Sequence, residues 1–169
     1  PLLGLPEGLA AAADQRHAAF VLADGAFEPD LAGFDALDDV LDLLDRIDRG
    51  QQCDPAEEKA KIVKQFESAS AQLGQAPEWT DQARYALYAW IDSELAKVRP
   101  WEGREWWQSH SLELDYWGQG LANVEFFVRA KEAAKLSTKD ALEVFYVCVV
   151  LGFHGFYENL PEIDKASVV

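Results

Sequence analysis

Methionine is missing from this chain of 169 residues, and cysteine occurs only at Cys53 and Cys148. Two thiols so far apart in sequence make neither a metal-ligand pattern nor a disulfide framework. Cys148 lies inside an apolar run, where a free thiol packs as a small hydrophobe, and a reducing compartment suits both cysteines. Basic residues are scarce too: 15 Lys and Arg stand against 30 Asp and Glu, a formal charge of −15. Such a surface repels nucleic acid and anionic lipid over most of its area, so neither is expected as a partner. A protein carrying a basic patch fits better. With 49% hydrophobic and 27% charged residues, the composition excludes wholesale disorder.

Long hydrophobic runs are lacking as well. The apolar stretch at residues 144–155 has about twelve residues, and the first charge after it is Glu158, whereas a bilayer span needs about twenty. The start, "PLLGLPEGLAAAADQRH", has no basic residue ahead of its apolar ones and does not read as a signal peptide. A chain that opens on Pro1 without methionine reads as trimmed. No segment alternates as a strand would, no Asn-Gly hairpin turn occurs, and no internal repeat is evident.

What is present is helical periodicity. Residues 1–33 mix Gly and Pro around an Ala-rich stretch that predicts one loosely specified helix. In "FDALDDVLDLLDRIDRG", Phe34, Leu37, Leu41, Leu44 and Ile47 recur every three or four residues, with aspartates on the other side and Gly50 at the end. That spacing gives a solvated acidic face; a calcium loop would need alternate-residue spacing. Asp54 and Pro55 predict an N-cap and first helical position, for a helix carrying Ile62, Val63, Phe66 and Leu73 to Gly74. The next helix starts at Pro77, presents Ala83, Leu87, Ile91, Leu95 and Val98 as one face, and stops by Pro100. A Trp-rich connection follows. Residues 121–135 predict a helix around Val124, Phe126, Phe127 and Ala130. A last helix opens at Ser137-x-x-Asp140, a pattern close to a capping box. The expected fold class is all-α, with about six to eight helices.

Chemistry-bearing constellations are few. His17, His110 and His154 fall in no metal-ligand spacing. His110 is flanked by Ser109 and Ser111, but neighbours in sequence are expected to point apart, and no nucleophile elbow is present. "GFHG" at residues 152–155 superficially matches a phosphate-clamping loop, yet no Lys or Arg surrounds it. Trp101, Trp106, Trp107 and Trp117 lie near Glu102, Glu105, Glu113 and Asp115. Aromatics beside carboxylates suit either a sugar-binding cleft with an acid and a base or the packing of a helix junction, and packing is the better reading.

From residue 83 onward, "ARYALYAWID", "PW", "WWQSHSL", "EFFVRAKE" and "LEVFYVCVVLGFHGFY" follow one another in an order and spacing that resembles the DotU/IcmH family. These are the TssL-type subunits of type VI secretion systems and their type IVB relatives. The resemblance spans residues 83–157, and five blocks in register are far more specific than any one of them. It implies two small helical bundles packed like a hook, on the cytoplasmic side of the bacterial inner membrane, with one membrane helix following Val169. It also implies an IcmF-like TssM membrane subunit and a TssK-like baseplate subunit as partners, self-association, no cofactor and no catalytic activity; the charge of −15 predicts a homodimer that stays weak without the membrane helix. The domain boundaries then expected are an N-terminal segment 1–33, a helical domain 34–160 and a tail 161–169.

The resemblance is not uniform. The family usually carries Asp-Glu at the end of the first block, where this chain has Asp92-Ser93-Glu94. That shift turns the second carboxylate by about 100° around the helix. A common Arg is Phe156 here, a common His is Trp117, and residues 1–75 match poorly. Asp92 and Glu94 are the expected protein-interface residues. Leu87, Ile91, Trp106, Trp107, Phe127, Phe145, Gly152, Phe153 and Gly155 are the expected structural core, with Leu142, Phe145, Val149 and Gly152 as the inward stripe of the last helix. The leading expectation is a structural subunit that docks the baseplate to the inner-membrane complex. The alternatives are a small carbohydrate-active enzyme using the Trp-flanked carboxylates and a type IVB homologue.

Overall fold

The structure, a computed structural model, describes residues 35–73 and 77–155, with the side chains of 38–71 and 81–155. The expectations for residues 1–33, Phe34, Gly74, Phe156 and the tail 161–169 lie outside the described residues. Within them the chain is helical without strands: α1 (Asp35–Asp48), α2 (Pro55–Leu73), α3 (Pro77–Lys97), α4 (Gly103–Ser109), α5 (Leu112–Trp117), α6 (Ala122–Ala133) and α7 (Asp140–Val150).

Amphipathicity builds the first pair. Helix α1 buries Val40, Leu43, Leu44 and Ile47, while Asp42 and Asp45 face water. The inward stripe is centred on Val40 and Leu43 rather than on Leu41, which is only partly buried. Asp54 caps α2 as expected: its Oδ1 accepts from the amides of Ala56 at 3.0 Å and Glu57 at 2.9 Å, with Pro55 where its missing N–H costs nothing. Arg46 joins the two helices by a fork onto Glu58, at 3.1 and 2.8 Å, and also holds Asp42 at 2.8 Å. The Arg46 hydrogen bonds outweigh burial and lower the Glu58 carboxyl below its ordinary range.

Helix α3 is the axis of the molecule. It packs most extensively on α7 and also contacts α4, α5 and α6, while α2 reaches α4. The single apolar face read from Ala83, Leu87, Ile91, Leu95 and Val98 is therefore too narrow. Tyr85, Ala86, Tyr88, Trp90 and Ile91 have no exposed surface, and Leu87 and Ala89 are buried beside them. A helix enclosed on all sides carries no amphipathic signature, and Tyr or Trp can serve as core there if the polar tip finds a partner. Tyr85 donates to Glu113 at 2.6 Å, and Trp90 Nε1 donates to the Leu151 carbonyl at 3.4 Å.

Phe126 is the hub of the opposite end. It packs edge-on to Phe145 at 4.9 Å between ring centres and stacks on Phe153 at 4.1 Å. Phe127, expected in the core, is only partly buried, and Val124 on the same helix is half exposed. On α7 the inward residues are Ala141, Phe145 and Cys148, not the stripe through Val149, which is 40% exposed. Cys148 is fully buried, and burial pushes its thiol well above the ordinary range. The expected Ser137–Asp140 capping box does not form: α7 begins at Asp140 behind Lys139, with no side-chain cap. Gly152 and Gly155 are partly buried rather than core, and their positive φ of 105° and 52° explains why glycine stands at both. At Gly155 a Cβ would also lie 2.8 Å from the Asn123 carbonyl oxygen. These glycines end the helix and fold the chain back under Phe126.

Candidate functional site

The densest polar network lies where α3, α4, α5 and the start of α6 meet. Asp92, near the end of α3, accepts from Trp107 Nε1 at 2.8 Å, from the Leu112 amide at 2.9 Å and from the Glu113 amide at 2.8 Å. The last two are orphan donors of the first turn of α5, which Ser111 also caps through Leu114. Burial pushes the Asp92 carboxyl up to about 6, against the opposing pull of these three donors. One carboxylate thus ties three helices together.

Glu113 repeats the device one step further along. Its side chain is buried, and it accepts from the Tyr85 hydroxyl at 2.6 Å and from the Leu121 and Ala122 amides at 3.1 and 3.0 Å. Those amides open α6, so Glu113 caps a helix that follows it in the chain. Burial and the Glu113 hydrogen bond raise the Tyr85 hydroxyl well above its ordinary range, which keeps it a donor. Beside it, the Arg129 guanidinium lies over the Tyr85 ring at 4.2 Å and the Trp117 ring at 5.4 Å while pairing with Asp81 at 2.9 Å. Lys59 closes the network from α2. Its ammonium, buried to the tip, donates to the His110 carbonyl and pairs with Asp115 at 2.5 Å.

Asp92 and Glu94, the expected interface residues, are both engaged within the fold. The Asp92 oxygens are turned inward and occupied, and Glu94 is 7% exposed, with Lys97 at 4.0 Å. The physical reason is enclosure of α3: a carboxylate beside its apolar positions meets other helices, not solvent. The tryptophans also divide. Trp101 and Trp107 are buried, whereas Trp106, expected in the core, is partly buried and stacks on His110 with ring centres 4.4 Å apart.

The carboxylates of the carbohydrate-cleft reading divide: Glu113 is buried, while Glu102, Glu105 and Asp115 are exposed. Glu113 and Asp115 are engaged by Tyr85 and Lys59, and Trp107 donates to Asp92. Ser109 and His110 do not point apart as expected. The end of α4 brings Ser109 Oγ to 3.0 Å from His110 Nδ1. Nδ1 also faces the Trp106 carbonyl at 2.9 Å, a contact that assigns the ring hydrogen to Nδ1 and leaves it unable to take a proton from Ser109. Among the described residues no group of three or more His, Cys, Asp or Glu is placed to hold a metal ion, and no helix is long and apolar enough to cross a membrane.

Leu87, Ile91, Trp107, Phe145 and Phe153 are buried where the sequence put them. What sequence reasoning missed was the capping role of Glu113, and Lys59 and Arg129 altogether. Each is a charged residue whose partners lie on other elements, and no local spacing announces that. A separate feature also escaped notice: an open apolar groove between α6 and α7, of about 500 Å³.

Fold and site together define a class: an all-helical domain whose buried ionisable groups are spent on holding helices in place. Comparison with known proteins gives the family. The profile described as "Type VI secretion system protein DotU" matches residues 34–166. This chain belongs to the DotU family of type VI secretion proteins. Two solved structures are similar. The cytoplasmic domain of TssL from Acinetobacter baumannii is 25% identical, with a TM-score of 0.63 over 80% of this chain and 89% of that one. SciP/TssL from enteroaggregative Escherichia coli 042 is 22% identical, with a TM-score of 0.60 over 79% of this chain and 82% of that one; it shares the fold. No curated protein matches the chain. The chain is therefore a structural subunit of a type VI secretion system with a TssL-like all-helical fold.

Proposed function

We propose that this chain is the cytoplasmic domain of an inner-membrane subunit, and that it docks the secretion baseplate to the membrane complex. The observation that carries the reading is the family match across residues 34–166, together with a fold shared with a domain described as cytoplasmic. An IcmF-like TssM subunit and a TssK-like baseplate subunit are the partners, with weak self-association that strengthens when a membrane helix confines two copies to one plane. The charge of −15 supports docking through basic partner surfaces, because it speeds their encounter and repels acidic competitors. With both Asp92 oxygens occupied by donors of the same chain and Glu94 buried, the contact falls to surface that the fold leaves exposed.

The experiment is deletion of the gene in a cell with an active type VI system, followed by measurement of substrate release into the medium. Release falls to background and returns with the gene supplied in trans. Undiminished release from the deletion strain contradicts the proposal.

A further inference from the structure

We infer that the groove between α6 and α7 is a docking site for one amphipathic helix of a partner protein, with an apolar stripe and at least one basic residue. The inference rests on the reading of this chain as an assembly subunit and names the chemistry of one of its partners.

The groove is lined by Phe126, Phe127, Leu142, Phe145, Tyr146 and Val149, with Lys139 and Glu143 on the α7 side. Its outer wall is not core. Tyr146 is 69% exposed and Val149 40%. The deeper wall is rigid, because Phe126 and Phe145 are buried and packed against each other and Phe126 stacks on Phe153. A preformed trough between two helices with exposed aromatic and aliphatic walls is the shape that receives a third helix through anchors spaced three and four apart.

The charge of the occupant follows from two side chains. Lys139 is already engaged: its ammonium donates to the Ala134 carbonyl at 2.6 Å and the Leu136 carbonyl at 3.2 Å, satisfying the end of α6. Glu143 is different. Its Oε2 is buried and has no hydrogen-bond partner, although the side chain lines an open groove. The half-buried Glu143 places a negative charge at the wall of the groove, which favours a Lys or Arg beside the apolar stripe of the occupant. The overall charge of −15 steers the same kind of partner toward this protein. A second copy of this chain fits less well, since it brings the same net charge and, across a two-fold axis, a second Glu143.

The test uses the purified chain and two synthetic helical peptides at about 0.15 M salt, where long-range attraction is screened. Both carry Leu and Phe anchors along one face; one has Lys and Arg beside the stripe, the other Glu at the same positions. Fluorescence anisotropy is expected to give binding of the basic peptide at least about tenfold tighter than the acidic one. Tyr146→Asp, at a side chain that is mostly solvent, weakens the basic peptide about tenfold with the circular dichroism unchanged. Glu143→Gln removes most of the preference between the peptides. Equal affinity for both peptides, no binding of either, or binding indifferent to Tyr146→Asp overturns the proposal. So does sedimentation that shows a wild-type dimer which Tyr146→Asp dissociates, since the occupant is then a second copy. Loss of secretion on gene deletion, combined with any of these results, refutes the groove proposal and leaves the assembly role standing.

Discussion

Replacing Asp92 with alanine removes the acceptor for three donors at once, the Trp107 indole and the amides of Leu112 and Glu113. Each donor is left at a helix junction, where an unsatisfied group costs about 1–3 kcal/mol and part of the loss is recovered by entering water. The expected destabilisation is therefore about 3–5 kcal/mol. For a chain of this length that is a fall in Tm of about 10–15 °C. Asp92→Asn keeps one acceptor oxygen but turns an NH2 group toward an amide, and costs about 1–2 kcal/mol. The two variants also differ from wild type in their response to pH. The folded Asp92 carboxyl titrates at about 6 because burial opposes its charge, against an ordinary 3.8. The folded chain therefore holds the extra proton more tightly than the unfolded chain, and this residue's contribution falls as pH rises from about 4 to about 6. Read the other way, wild type gains on Asp92→Asn as the pH is lowered from 7 toward 4, by at most about 3 kcal/mol. Urea titrations of both proteins at each pH measure the difference and cancel the many surface carboxylates. A wild-type-minus-Asn difference that stays flat across this range refutes the account of a buried, charge-disfavoured carboxylate. Asp92→Ala within 1 °C of wild type refutes the network itself.

Other outcomes follow from the same geometry. Trp107→Ala costs about 3–5 kcal/mol in thermal or urea unfolding, whereas Trp106→Ala costs well under half of that, because Trp106 is partly exposed and stacked on His110. Glu113→Ala frees the Leu121 and Ala122 amides, so hydrogen exchange at the start of α6 accelerates before that of α3 does. Light scattering on the isolated chain gives a monomer or weak dimer at micromolar concentration, since copies of net charge −15 repel one another.

How much of this was legible in the sequence depended on where each residue's partners lie. The Asp54-Pro55 start could be read because its partners sit within a turn of helix, and Leu44 and Ile47 were legible on α1 where Val40 and Leu43 were not. Enclosure of α3 could not. Tyr85, Tyr88 and Trp90 are acceptable on a helix surface and in a core alike, and only the arrival of α4 to α7 around them decides. The role of Asp92 inside the fold was not legible because the groups it holds lie 15 to 21 residues later in the chain. The double tryptophan shows the limit most simply. Trp106 and Trp107 are chemically identical neighbours, yet one turns out over His110 and the other in to Asp92. The groove was invisible because its walls come from two helices, and each helix alone reads as having one apolar face.

The central claim, that this domain links membrane complex and baseplate, is tested most directly by measuring its binding to the purified cytoplasmic region of the IcmF-like subunit and to the TssK-like baseplate subunit. Isothermal titration calorimetry at about 0.15 M salt is predicted to give binding to at least one of them with a dissociation constant of about micromolar order, weakening as salt is raised. The absence of heat with either partner, with the domain folded and at high concentration, would contradict it.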